Sequence, residues 1–153
     1  LRDFFNDVAF GEPVDLEVRH LGKYEPTLSV RRPLEYAIPP GCDDVIDTLR
    51  AHGIVVDAVT VPRVVTAEVY TIDEVERADR EYQGARGAIV DATARTTATP
   101  IGQGWHVVRM SQPLGTLAAY LLEPESDDGL AHWGFFDDAL RPGNDFPILR
   151  VVN

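Results

Sequence analysis

The sequence predicts an α+β fold that is mostly β, in which two principal helices pack on a mixed sheet. Three observations support this prediction: several segments rich in β-branched residues, two helical patterns, and glycine or proline between most of these segments. The chain has 153 residues and is 44% hydrophobic, which suits one globular body. We expect a single accessory domain with an extended arm, residues 1–33, and a compact body, residues 34–153.

The arm contains aromatic residues, such as Phe4 and Phe5, without a sustained period. Apolar and charged residues alternate over Val14–Val18, as in a half-buried strand, and Leu28 and Val30 favour an edge strand. The chain begins with leucine instead of methionine. We therefore expect it to be part of a longer polypeptide.

The body begins with a strand–helix–strand unit over residues 34–61. Leu34–Ile38 is a short apolar strand, and Asp43–His52 has an apolar stripe with acidic residues in its first turn. Gly53 suits the left-handed position after a helix, and Ile54–Val56 starts the next strand. This order of elements is typical of a βαβ-like unit.

Three further segments indicate strands. Val64–Ile72 and Ala88–Ala98 alternate apolar with polar residues, and Trp105–Met110 follows a turn rich in glycine. The turn at Thr99–Gly104 predicts a β-hairpin between the second and third of these segments. The polar stretch Glu76–Gln83 favours either a strand edge or a loop.

The second helix is predicted over residues 113–122. Pro113 suits the first helical position and Ser111 the N-cap, and no charged residue occurs through Leu122. We therefore expect this helix to be buried on most sides. The tail, residues 125–153, is predicted as an acidic turn, an aromatic cluster and a final strand at Ile148–Val152.

The charge balance argues against some partners. The formal net charge is −11, and Lys23 is the only lysine among 14 basic residues. Nucleic acids and anionic membrane surfaces would be repelled by such a surface. No uncharged apolar run is long enough for a membrane span, and the start of the chain lacks the pattern of a signal peptide, so the compartment cannot be inferred.

Catalytic patterns are sparse. None of the four histidines has Glu or Asp three or four positions later, and no serine lies in a Gly-x-Ser-x-Gly motif. His132 precedes Asp137 and Asp138, which leaves a dyad as an alternative to a surface turn. Cys42, the single cysteine, is interpreted as a structural residue at a helix start, because the two carboxylates after it disfavour a thiolate.

Two stretches resemble a known family. One runs from Arg32-Pro-Leu-Glu-Tyr-Ala-Ile-Pro-Pro to Leu49-Arg-Ala-His-Gly-Ile-Val-Val. The other includes Gly104-Trp-His-Val-Val-Arg-Met-Ser-Gln-Pro-Leu, then Leu121-Leu-Glu-Pro-Glu-Ser-Asp-Asp-Gly-Leu and Trp133-Gly-Phe-Phe-Asp. In this order they resemble the C-terminal, non-catalytic region of bacterial zinc carboxypeptidases of the carboxypeptidase A-like metallopeptidase family, over roughly residues 25–151.

This resemblance implies a parent hydrolase that removes C-terminal residues from peptides with one zinc ion. The family's His-x-x-Glu zinc motif does not occur in this sequence, so no catalytic or metal residue is assigned and no cofactor is expected within the chain. The implied partner is an upstream catalytic domain of the same polypeptide, which this region would pack against or gate. Trp133, Phe135, Phe136 and Trp105 are candidate anchors of that interface, since aromatic residues dominate buried contacts.

Two other functions remain open. The chain is alternatively an independent module that binds peptide or glycan through Trp105 and Trp133. A third hypothesis is a hydrolase of unfamiliar architecture that uses His132 and the nearby acids. For the aromatic anchors, the alternative role is closure of the domain's own core.

Overall fold

The computed structural model describes Asp15, residues 17–19, Gly22 and residues 25–153. Internal contacts divide the chain into two compact units, residues 1–30 and residues 31–153. The described residues of the first unit form no helix or strand, so the edge strand predicted at Leu28 and Val30 is not formed. Phe4, Phe5 and part of the predicted strand at Val14–Val18 lie outside the described residues. The boundary predicted between residues 33 and 34 stays a prediction.

The second unit contains one six-stranded sheet and two helices. In chain order the elements are β1 (Glu35–Ile38), α1 (Asp43–Ala51), β2 (Asp57–Ala58), β3 (Arg63–Arg77), β4 (Ala88–Ile101), β5 (His106–Arg109), α2 (Gly115–Leu122) and β6 (Leu149–Val151). The strand order across the sheet is β2-β5-β1-β6-β3-β4. The final strand predicted in the tail therefore lies inside the sheet, between β1 and β3.

The predicted fold class, α+β with a mixed sheet, is wrong. All five strand pairs of this sheet are antiparallel, and the two helices have only nine and eight residues, so the fold is mostly β. The order β1, α1, β2 led to the expectation of parallel neighbours. In the structure β5 lies between β1 and β2 and is antiparallel to both, a placement that the local sequence does not encode.

The predicted hairpin between the second and third strand segments is also wrong. β4 pairs with β3 along its whole length, from Arg77↔Ala88 to Arg63↔Ile101, and not with β5. The β3–β4 hairpin closes through residues 78–87. The polar stretch Glu76–Gln83, predicted as either a strand edge or a loop, contains the last two residues of β3 and the first part of this connection. The register shifts between Ile72 and Glu74, which indicates a β-bulge in β3.

The first helix confirms its predicted stripe, and the second begins later than expected. In α1, Val45, Ile46 and Leu49 are buried, and Gly53 follows the helix with φ +82°. The helix predicted from Pro113 begins instead at Gly115, and no side chain caps it, so the Ser111 cap is not formed. Over the ranges that the structure describes, no helix has the length and apolar character needed to cross a membrane.

Apolar clusters cover both faces of the sheet. The larger cluster joins alternate strand residues, including Ile38, Ile72 and Val108, to the buried faces of both helices. The smaller cluster lies on the opposite face and includes Ala37 and Val107. The alternation of neighbours such as Ala37 and Ile38 between the two clusters follows from the period of the strand.

Candidate functional site

A cluster of buried polar side chains lies on the face of the sheet that carries the helices. Arg150 in β6 is its centre: Nη1 donates to Oε2 of Glu68 at 2.7 Å and to the hydroxyl of Tyr70 at 3.3 Å. Its Nε lies 3.0 Å from Oε1 of Glu123, which directly follows α2. The hydroxyl of Tyr36 donates to the same Glu123 oxygen. The cluster therefore connects β1, β3, β6 and the end of α2.

Burial sets the electrostatics of this cluster. The side chains of Arg150 and Glu123 are 6% and 8% exposed, so their charges are largely shielded from water. Burial raises the pKa of Glu123 above its usual value, although the Tyr36 hydroxyl and the Arg150 guanidinium lower it again. Burial, followed by the charge of Glu123, also raises the pKa of Tyr36 and of Tyr70.

The pairing within the cluster is incomplete. Among the described residues Oε2 of Glu123 has no hydrogen-bond partner. Nε of Arg150 is within ion-pair distance of Glu123 but lacks the alignment of a hydrogen bond, so we treat this contact as electrostatic. No residue of this cluster lines either of two surface clefts, of about 500 and 180 Å³, both of which include Arg109. The geometry fits a role in positioning α2 rather than chemistry on a substrate.

None of these residues is among the candidates predicted from the sequence. A signal was present, because Arg150 interrupts an otherwise apolar strand and a charged residue inside a buried strand needs a partner. The partner Glu68 lies 82 positions away in the chain, so the sequence alone does not identify it.

The structure separates the four candidate anchors. Phe136 is 5% exposed and meets Phe146 edge to face at 4.8 Å, so it packs within the larger apolar cluster. Phe135 packs partly against the same core, and Trp105 packs partly against the smaller apolar cluster. Trp133 is half-buried and donates its indole N–H to Asp128 at 2.6 Å. An interface role for these rings stays a prediction.

The candidate dyad is not assembled. Nδ1 of His132 lies 3.0 Å from the carbonyl oxygen of Ala88, and Asp137 instead accepts a hydrogen bond from Arg77 at 2.8 Å. Asp138 is exposed and makes no hydrogen bond with His132 among the described contacts. His132 thus joins the 125–140 segment to the first residue of β4, which is a structural contact.

The described part of the chain offers no metal centre. No three His, Cys, Asp or Glu side chains within it are close enough together to hold a metal ion. Cys42 is half-buried, and burial, followed by Asp44 and Asp43, raises the pKa of its thiol, which disfavours a thiolate nucleophile or ligand. The residues that the structure describes therefore do not fit a zinc ion.

Comparison with known proteins relates this chain to carboxypeptidases. It is 28% identical over 127 residues to Carboxypeptidase 2 of Trichophyton rubrum, and the alignment covers 83% of this chain and 23% of that protein. The Carboxypeptidase 2 proteins of Trichophyton tonsurans and Trichophyton equinum are each 27% identical over 124 residues. The chain is thus a carboxypeptidase-related region that spans less than a quarter of the length of these fungal relatives. No family model and no solved structure matches it.

Proposed function

We propose that this chain is a non-catalytic accessory region of a zinc-dependent metallocarboxypeptidase and that it packs against or gates the catalytic domain of the same polypeptide. The observation that carries the proposal is the uneven coverage of the alignments. Most of this chain matches a carboxypeptidase, yet most of that carboxypeptidase has no counterpart here. A region of this kind depends on the remaining part for hydrolysis.

The chemistry of the described residues supports this division of roles. Hydrolysis by a zinc peptidase needs three protein ligands and an open position for water. The described side chains do not supply such a set. In this proposal the zinc ion is held by residues outside this chain.

The test compares the isolated chain with the full-length polypeptide that contains it. We expect the purified chain to contain no stoichiometric zinc by elemental analysis and to release no C-terminal residue from peptide substrates. The longer polypeptide should contain stoichiometric zinc and should release C-terminal residues from peptides. Its sequence should contain His-x-x-Glu followed by a distant histidine. Activity of the isolated chain that is lost in His132→Ala would instead support the unfamiliar hydrolase.

One observation keeps the binding module as a second candidate. Tyr82 at the end of the β3–β4 hairpin is 67% exposed, and its ring centroid lies 6.5 Å from that of Trp133. Neighbouring aromatic rings of this kind can stack against a sugar or an aromatic side chain. Titration with oligosaccharides, followed by tryptophan fluorescence, should show saturable binding that Tyr82→Ala removes only if this second function is correct.

A further inference from the structure

The first half of the outer edge of β4 is bonded by the protein itself at two positions, and we call it the closed half. In the part of the chain that the structure describes, β4 is the last strand of the sheet and pairs with β3 alone. On its outer side, the N–H of Ala88 donates to the carbonyl oxygen of His132 at 3.1 Å. The N–H of Ala92 donates to Oε1 of Glu125 at 3.4 Å. Two positions of this edge therefore have partners from the segment that follows α2.

The second half of the same edge has no partner among residues 25–153 and the few described residues before them. Because N–H direction alternates along a strand, the N–H groups of Ala94, Thr96 and Ala98 point outward like those of Ala88 and Ala92. All three residues are exposed, and no described residue bonds to these outward groups. Pro100 has no N–H and ends the open stretch. We call residues 94–100 the open edge.

The open edge has few of the features that protect exposed strands from pairing. Lysine, an internal proline or a bulge commonly serve this purpose. Here Arg95 is the only charged residue, and the bulge lies in β3, between Ile72 and Glu74. The side chains are small, and Val64, which is paired with Pro100, is 70% exposed beside them. An added strand could therefore approach the backbone of β4 closely, with Val64 one strand further in.

The charges around the open edge are mostly negative. Asp145 pairs with Arg95, and Asp73 accepts a hydrogen bond from Thr93 at 2.6 Å. Burial raises the pKa of the Glu125 carboxyl, and the nearby charges of Asp91 and Asp73 contribute in the same direction. Asp145 thus contacts the open edge itself, Asp73 contacts the residue just before it, and Glu125 and Asp91 lie along the closed half. A second copy of this chain would bring the same acids and a net charge of −11, which disfavours self-pairing.

We propose that the open edge binds an extended basic segment of a protein partner, which adds a strand to the sheet beyond β4. The outward backbone groups at positions 94, 96 and 98 would pair with the backbone of that segment, and its Lys or Arg side chains would meet the surrounding carboxylates. This inference deepens the proposed function: the catalytic domain is the partner only if the accessory role is correct. The binding itself can be measured without that domain.

The experiment uses the chain and a fluorescent capped peptide, Thr-Lys-Val-Lys-Val-Lys-Thr, followed by fluorescence polarisation. Thr96→Pro removes one outward N–H without removing a bond to β3, and we expect it to weaken binding about tenfold. Ala98→Pro is a second variant of the same design, used where the first one alters the circular dichroism spectrum. Thr96→Val keeps the N–H and should bind as the natural chain does.

Two control peptides test the chemistry. A peptide with N-methyl groups on all of its backbone amides cannot donate to the edge from either side, and one with Glu in place of Lys has the wrong charge, so both should bind at least about tenfold more weakly. Undiminished binding by Thr96→Pro and Ala98→Pro, equal binding of the acidic peptide, or no binding of the basic peptide would each overturn the proposal. A dimer in sedimentation velocity that Thr96→Pro dissociates would identify a second copy as the occupant instead. These outcomes are separate from the zinc and hydrolysis measurements that test the proposed function.

Discussion

Replacing Arg150 tests whether the buried polar cluster stabilises the fold. Arg150→Met preserves much of the apolar stem but leaves the Glu123 carboxylate, 8% exposed, without its charge partner. Removing one member of a buried ion pair costs about 3–5 kcal/mol of unfolding free energy. Since domains of this kind are stable by roughly 5–15 kcal/mol, the variant should fold but unfold at much lower urea concentration.

Protonation limits this cost and gives it a pH dependence. Glu123 can become neutral, at about 1.4 kcal/mol for each pH unit above its pKa. Because its pKa is raised in the folded state, the folded chain holds that proton more tightly than the unfolded chain does. The contribution of Glu123 to stability is therefore favourable at low pH. It is lost as the pH rises from the pKa of an ordinary glutamate through the raised pKa of Glu123 in the folded chain. Arg150→Met raises that folded pKa further, so the loss should extend to higher pH.

The assay is urea unfolding at pH 5 and pH 7, followed by tryptophan fluorescence and circular dichroism. The stability of Glu123→Gln should depend less on pH than that of the natural chain. The double variant Arg150→Met/Glu123→Gln should lose about 2 kcal/mol less unfolding free energy than the two single variants lose together. Arg77→Met, which breaks the exposed pair with Asp137, is the matched control and should cost at most about 1 kcal/mol. Equal losses for Arg150→Met and Arg77→Met would refute the reasoning.

Three further predictions concern packing and reactivity. A Cβ added in Gly87→Ala would lie 2.5 Å from Nε2 of His132, so the ring must move. The free energy of unfolding, measured with urea, should fall by about 1–3 kcal/mol. Phe136→Ala should lower the free energy of unfolding by about 3–5 kcal/mol, because its side chain is buried. Trp133 is only half-buried, so Trp133→Ala should cost less than half as much in the same urea assay. Similar costs for the two variants would contradict the different placement of the two rings. Burial raises the pKa of the Cys42 thiol, so iodoacetamide at neutral pH should modify it more slowly in the folded chain than in urea. The two rates are measured by mass spectrometry, and equal rates would contradict the prediction.

Local features of the fold were predictable from the sequence, and its pairing was not. Asp43 to His52 was predicted as a helix and α1 ends at Ala51, because its apolar stripe and terminal charges lie within a few turns. The sequence segments of β3 and β4 were also identified. Their pairing was missed, because alternation defines which side of a strand is apolar without identifying its neighbour.

The same limit applies to the candidate site. His132 and the acids near it were prominent because they are close in sequence, but the structure directs His132 to Ala88 and Asp137 to Arg77. The cluster around Arg150 joins residues from distant strands. Its assembly depends on the strand order β1-β6-β3, which local patterns do not specify.

The buried cluster and the open edge are connected through three consecutive residues. Glu123, held by Arg150, is followed by Pro124 and then by Glu125, whose carboxylate accepts the outward N–H of Ala92. A proline between them restricts the backbone, so the position of Glu125 depends on the position of Glu123. The carboxylate that bonds to the last paired position of the closed half therefore lies two residues from the ion pair in the core. Because Pro124 restricts the backbone between them, we expect the ion pair to help position Glu125 at the sheet edge, a structural role that needs no chemistry on a substrate.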